Sequence, residues 1–113
     1  MTDAELLHAV AEFREGILEG RPSNDMCFAI CWPLESFLAT CGVEVKLVMV
    51  SVPACVTGNT VASDHYVLEL PDGRIIDPTA DQFPVAGLPP VYIGLRPDVY
   101  SAPWYDDEQE VCS

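Results

Sequence analysis

Cys27, His65 and Asp77 are residue types that together can perform nucleophilic chemistry. Cysteine attacks as a thiolate, and the first turn of a helix favours that anion through its unpaired N–H groups and its dipole. Cys27 falls at such a place. The loop Arg21-Pro22-Ser23-Asn24-Asp25 is rich in helix-capping residues, and a helical run from Met26 to Thr40 follows it. A thiol nucleophile also needs an imidazole to take its proton, and the imidazole needs a carboxylate or amide on its other nitrogen. Only two histidines exist. His8 lies on the exposed half of the first predicted helix and receives no role. His65 opens a strand whose hairpin partner ends at Asp77, so an antiparallel turn at Asp72-Gly73 brings both to the same end of a sheet.

Other readings of these residues are weaker. Cys31 and Cys41 lie on the body and end of the same helix, where a thiol behaves as a small inert hydrophobe. Cys27 and Cys31, four residues apart, share a helix face and with His65 and Asp77 offer four zinc-binding atoms. Structural zinc, however, favours C-x-x-C pairs, which this chain lacks, so neither a metal nor another cofactor is expected. An oxyanion hole is expected at the Cys27 backbone N–H, with Asn24 as a side-chain donor and Gln82 as a weaker one. Asn24 serves equally well as a helix cap. Asp77 can also cap the turn before Pro78.

The elements that position these residues are well signalled. From Ala4 to Leu18, apolar residues recur mostly every three or four positions, with Glu5, Glu12, Arg14, Glu15 and Glu19 elsewhere, predicting an amphipathic helix. Thr2 or Asp3 can start it, and Gly20 before Arg21-Pro22 ends it. The Met26–Thr40 helix is apolar nearly all round, which predicts burial at the centre of the domain, and Pro33 predicts a kink or an irregular first turn. Val43 to Val52 reads as a strand and Pro53 to Asp64 as a loop containing Gly58-Asn59. His65–Leu70 and Gly73–Ile76 form a hairpin around Pro71-Asp72-Gly73. A short strand at Val91–Leu95 follows within a proline-rich segment, and Asp106 to Glu110 make an acidic tail. Trp32, Trp104 and Tyr66 read as core or rim aromatics.

Composition bounds the function classes. Half of the 113 residues are apolar, enough for a packed core in one domain. With 18 acidic against five basic side chains the net charge is −13, which repels phosphate backbones and argues against nucleic-acid partners. Neither a secretion signal nor a membrane span is evident, and the five cysteines lack a disulfide-framework pattern, so a cytoplasmic protein with reduced thiols is expected.

The order of these features, a helix-borne Cys27, a hydrophobic strand, then D-H-Y-V-L-E-L-P-D-G-R-I-I-D-P-T, resembles the core of the transglutaminase-like superfamily of papain-like cysteine enzymes. The resemblance spans Asn24 to Phe83 and rests on Cys27, His65-Tyr66 with Glu69, and Asp77-Pro78-Thr79. It implies an α+β domain over residues 1–113, with the motif core at 24–83 and a proline-rich, acidic segment at 84–113. The Cys-bearing helix would pack on a small antiparallel sheet. By the same resemblance Cys27 is nucleophile, His65 general base and Asp77 orienter of the imidazole, in an amide hydrolase or acyltransferase that acts on a protein or peptide through a thioester. Two positions depart from the family pattern: Met26 replaces a small residue before the nucleophile, and Tyr66 replaces a Trp often found after the histidine. The alternative they leave is a silent protein-binding module on the same fold.

Overall fold

The computed structural model describes residues 1–57 and 62–100. Gly58-Asn59, Trp104 and the acidic tail therefore lie outside the described residues. The element order is α1 (Asp3–Leu18), α2 (Cys27–Thr40), β1 (Lys46–Val52), a helical turn α3 (Ala54–Thr57), β2 (Ser63–Glu69), β3 (Ile75–Asp77), two short 3-10 turns (Ala80–Gln82 and Pro84–Ala86) and β4 (Tyr92–Gly94). The four strands form one antiparallel sheet in the order β1-β2-β3-β4. The α+β class expected from the sequence is the observed one. No helix among the described residues is long and apolar enough to cross a membrane.

Local chemistry sets the boundaries. Thr2 and Glu5 make a reciprocal capping box, the Glu5 N–H donating to Thr2 Oγ1 at 3.1 Å and the Thr2 N–H to Glu5 Oε1 at 2.8 Å. The α1 helix ends through Glu19 and Gly20, both at positive φ. The β2–β3 hairpin turns at Asp72-Gly73, where Gly73 has φ 90° and Asp72 accepts from the Arg74 N–H at 3.0 Å.

The sheet is covered on both faces. Leu68 and Ile76 point toward the helices and pack with Leu6, Val10, Cys31, Leu34 and Leu38. On the other face Val67, Ile75, Val50 and Val52 pack with Val56, Phe83 and Tyr100. Side chains alternate along a strand, so His65 shares the second face with Val67, as does Asp77 with Ile75.

The α2 helix departs from expectation. It buries Ile30, Cys31, Leu34 and Leu38, while Phe28, Trp32 and Phe37 are exposed. With α1 on one flank and the sheet on another, its outer side is left exposed among the described residues, so the apolar sequence did not mean burial all round. Pro33 lies inside this helix, which is continuous from Cys27 to Thr40. Pro33 and Ala29 are both exposed, and the carbonyl that loses its usual partner can hydrogen-bond to water.

Candidate functional site

The pairing of His65 with Asp77 is a product of register. Leu68 pairs with Ile76 and Glu69 with Ile75, which puts Asp77 opposite Val67 and two residues along the same face from His65. His65 Nε2 meets Asp77 Oδ2 at 2.8 Å, and both side chains are fully buried. The other Asp77 oxygen accepts the Thr79 N–H at 3.0 Å. A further partner comes from far along the chain: Tyr100, itself fully buried, donates its hydroxyl to Asp77 Oδ2 at 2.5 Å. Its ring centroid lies 5.2 Å from that of His65, and Phe83 meets the imidazole edge-to-face at 4.9 Å. The imidazole is thus fixed on two sides by rings and at one nitrogen by a carboxylate.

Cys27 reaches this pair through a gap in the sheet. Continuing the β2–β3 register would set Pro78 opposite Tyr66, but Pro78 has no N–H to give. The Pro78 carbonyl is taken instead by Arg14 Nη1 at 3.1 Å. The Tyr66 main chain is therefore free on that edge, and the start of α2 docks there. Cys31 Sγ donates to the Tyr66 carbonyl at 3.4 Å, and the Tyr66 amide interacts with the Cys27 sulfur. Two cysteines one helical turn apart occupy the edge that β3 vacates.

The electrostatics follow from these contacts. Burial works to raise the Cys27 thiol, yet hydrogen bonding to His65 and to the backbone amides of Tyr66 and Phe28 outweighs it and leaves the thiol below its ordinary range. For His65, burial disfavours the charged ring, but the bonds to Asp77 and Cys27 prevail and push it up to about 9. The His65 Nδ1 is buried and makes no hydrogen bond to any described residue. With Nε2 committed to Asp77, Nδ1 is the nitrogen left for the Cys27 sulfur. Burial, with the Asp77 charge second, drives Cys31 the other way, well above the usual thiol range. Burial and Asp77 likewise push the Tyr100 phenol upward, so it stays a donor.

A second network holds the two halves together. Arg14, placed by its sequence pattern among the polar residues of α1, is buried. Its guanidinium donates to the Pro78 and Pro90 carbonyls at 3.1 and 2.8 Å and makes two bonds to Asp81 at 3.1 and 2.8 Å. Ser23 Oγ also donates to Asp81, at 2.6 Å. Gln82 accepts the Asp25 N–H at 3.0 Å and donates to Thr79 Oγ1 at 2.7 Å. Asp25 sits at φ 61°, a conformation that Asp tolerates better than most residues. These bonds tie the loop before Cys27 to the loop after Asp77.

The expected oxyanion donors fare differently. Among the described residues no side chain caps the helix start, so the Cys27 N–H has no capping partner there. Asn24 is exposed and its side chain bonds to no described residue, so it neither caps α2 nor braces the site. Gln82 is a brace, with both ends of its amide already bonded.

Cys27, Cys31 and Cys41 are free thiols, whereas Cys55 is disulfide-bonded. This corrects the expectation of reduced thiols throughout, because an odd cysteine count without a framework still leaves room for one bridge. Among the described residues no cluster of His, Cys, Asp and Glu has the arrangement of a metal site. Sequence reasoning missed Tyr100 and Arg14. The only signal for Arg14 was a lone cation on a helix turn shared with Val10 and Leu18. No protein-family model, no curated protein and no solved structure matches this chain.

Proposed function

We propose that this chain is a cysteine-dependent amide hydrolase or acyltransferase of the peptidase or glutamine-deamidase kind, on a minimal papain-like, transglutaminase-like core. One observation carries the reading: His65 is bonded through Nε2 to buried Asp77, its Nδ1 is left without a hydrogen bond, and the ring interacts with Cys27, whose thiol is lowered. Buried catalytic groups with opposed, partner-specific shifts are the pattern that nucleophile–base pairs require.

The chemistry follows from the arrangement. Cys27 gives its proton to His65, and Asp77 stabilises the resulting imidazolium. The thiolate attacks an amide carbonyl carbon, forming a C–S bond, and the oxyanion is met by the uncapped Cys27 N–H at the start of α2. The C–N bond breaks as His65 passes its proton to the departing amine or ammonia. Water, or an amine acceptor, then attacks the thioester while His65 takes its proton, and Cys27 leaves as thiolate. Cys31 does not compete, because its thiol is buried and protonated.

The test uses p-nitrophenyl acetate, with peptide mapping by mass spectrometry. The expected result is p-nitrophenol release with an acetyl group on Cys27 that turns over in wild type, and loss of both in His65→Ala. Acetylation of Cys27 no faster than of exposed Cys41 overturns the reading and leaves the silent binding module.

A further inference from the structure

Three aromatic rings flank the proposed nucleophile. Phe28 follows Cys27 directly, Trp32 lies one helical turn further, and Tyr66 follows His65. Phe28 meets Trp32 and Tyr66 edge-to-face, each at 5.0 Å between centroids. Yet Phe28 is 39% and Trp32 59% exposed. Single exposed apolar residues are ordinary, but contiguous rings packed on one another form a patch that water covers poorly. This patch is continuous with the reacting groups, since the Tyr66 and Phe28 amides also contact the Cys27 sulfur.

Charge identifies the other half of the surface. Asp64 is exposed and, two residues before Tyr66, points to the same face of β2 as that ring. Asp25 is exposed in the loop that leads to Cys27. The chain as a whole carries −13. An acidic surface attracts cationic ligands and speeds their arrival.

We propose that Phe28, Trp32 and Tyr66 form a substrate ledge that receives a large apolar side chain of a basic peptide, next to the amide attacked by Cys27. The proposal rests on the acyl-transfer reading and adds the class of substrate. Acidic or glycine-rich peptides are poor ligands, the first by repulsion and the second for want of a side chain to cover the rings. The ledge carries two selectivities: apolar contact from the rings and charge preference from Asp25 and Asp64.

The test measures alkylation of Cys27 by four N-acetyl dipeptidyl chloromethyl ketones: Arg-Phe, Glu-Phe, Arg-Gly and Glu-Gly. The thiolate displaces chloride from the methylene carbon in each, so the intrinsic chemistry is the same. Every rate is divided by the iodoacetamide rate of Cys27 in the same variant. Phe probes are expected to react about tenfold or more faster than Gly probes, the effect of covering one phenyl ring in part. Arg probes are expected to outrun Glu probes by severalfold, with the gap closing as salt rises. Trp32→Ala, at a position exposed enough to be replaced without unfolding, brings the Phe-to-Gly ratio toward one and leaves the Arg-to-Glu ratio standing.

Equal rates for Phe and Gly probes, or a ratio that Trp32→Ala does not change, overturn the ledge. So does a dimer in sedimentation that Trp32→Ala dissolves, which would make this face a contact between two copies of the chain. A Cys27 no more reactive toward iodoacetamide than Cys41 counts against the acyl-transfer reading alone, because the probe ratios are taken at equal chemistry.

Discussion

Asp77→Asn removes the carboxylate charge from His65 while keeping nearly the same shape, and its effect can be worked from the contacts. In the native site the imidazole is fully buried, with Asp77 at 2.8 Å, and titrates at about 9 against an ordinary 6.5. Burial is the largest single influence on this ring and acts to lower it. Without the carboxylate, the first-ranked raising contact is gone and only Cys27 still holds the ring up, so His65 should fall toward 6.5, a change of up to about 2.5 units or roughly 3 kcal/mol. The sign for stability follows. A pKa raised on folding stabilises the native state fully below the unfolded value near 6.5, and that stabilisation is lost as pH rises through 9. Above about pH 8.5 the lowered Cys27 thiol contributes in the opposite sense and offsets part of the loss.

Proton NMR of the imidazole rings is the assay, and the chain suits it because His8 is the only other histidine and is exposed. In wild type the His65 resonance should hold its imidazolium shift to about pH 9. In Asp77→Asn it should titrate well below 9, toward its ordinary range, and urea midpoints should lose most of their fall between pH 6.5 and 9. A His65 that titrates alike in both proteins would refute the assignment of Asp77 as the group that holds the imidazolium.

Two further substitutions probe the supports. Tyr100→Phe deletes a hydroxyl bonded to a buried carboxylate, so urea unfolding should show a loss of about 1.5–3 kcal/mol, the usual worth of a hydrogen bond to a charged group. Arg14→Met keeps much of the apolar stem but strands two carbonyls and Asp81. It should cost about 2–4 kcal/mol in the same measurement.

The candidate site was legible in the sequence where local rules govern it. Asp72-Gly73 fixes the hairpin turn, and the turn fixes where His65 and Asp77 fall, because both are counted outward from it along paired strands. Gly20, Pro22 and the polar loop mark the start of α2 and so put Cys27 at a helix N-terminus. What escaped depends on residues distant along the chain. Tyr100 reaches Asp77 across 23 positions and Arg14 reaches Pro90 across 76, and no periodicity encodes such pairings. The role of Pro78 is intermediate. Its missing N–H is a property of the sequence, but its consequence, an open edge at Tyr66 for two cysteines, needs the register. For α2, composition misled because apolar content reports what a helix can bury and not how many neighbours cover it. Trp32 is the plainest case, a residue read as core or rim that stands 59% exposed.

The most direct measurement of the central claim is the rate of iodoacetamide alkylation at pH 6, resolved by peptide mapping, for Cys27 and exposed Cys41 in wild type and in His65→Ala. If Cys27 is held as a thiolate by His65, it should react at least about tenfold faster than Cys41 in wild type and lose that advantage in His65→Ala. Equal rates for the two cysteines in wild type, or a Cys27 advantage that survives His65→Ala, would contradict it.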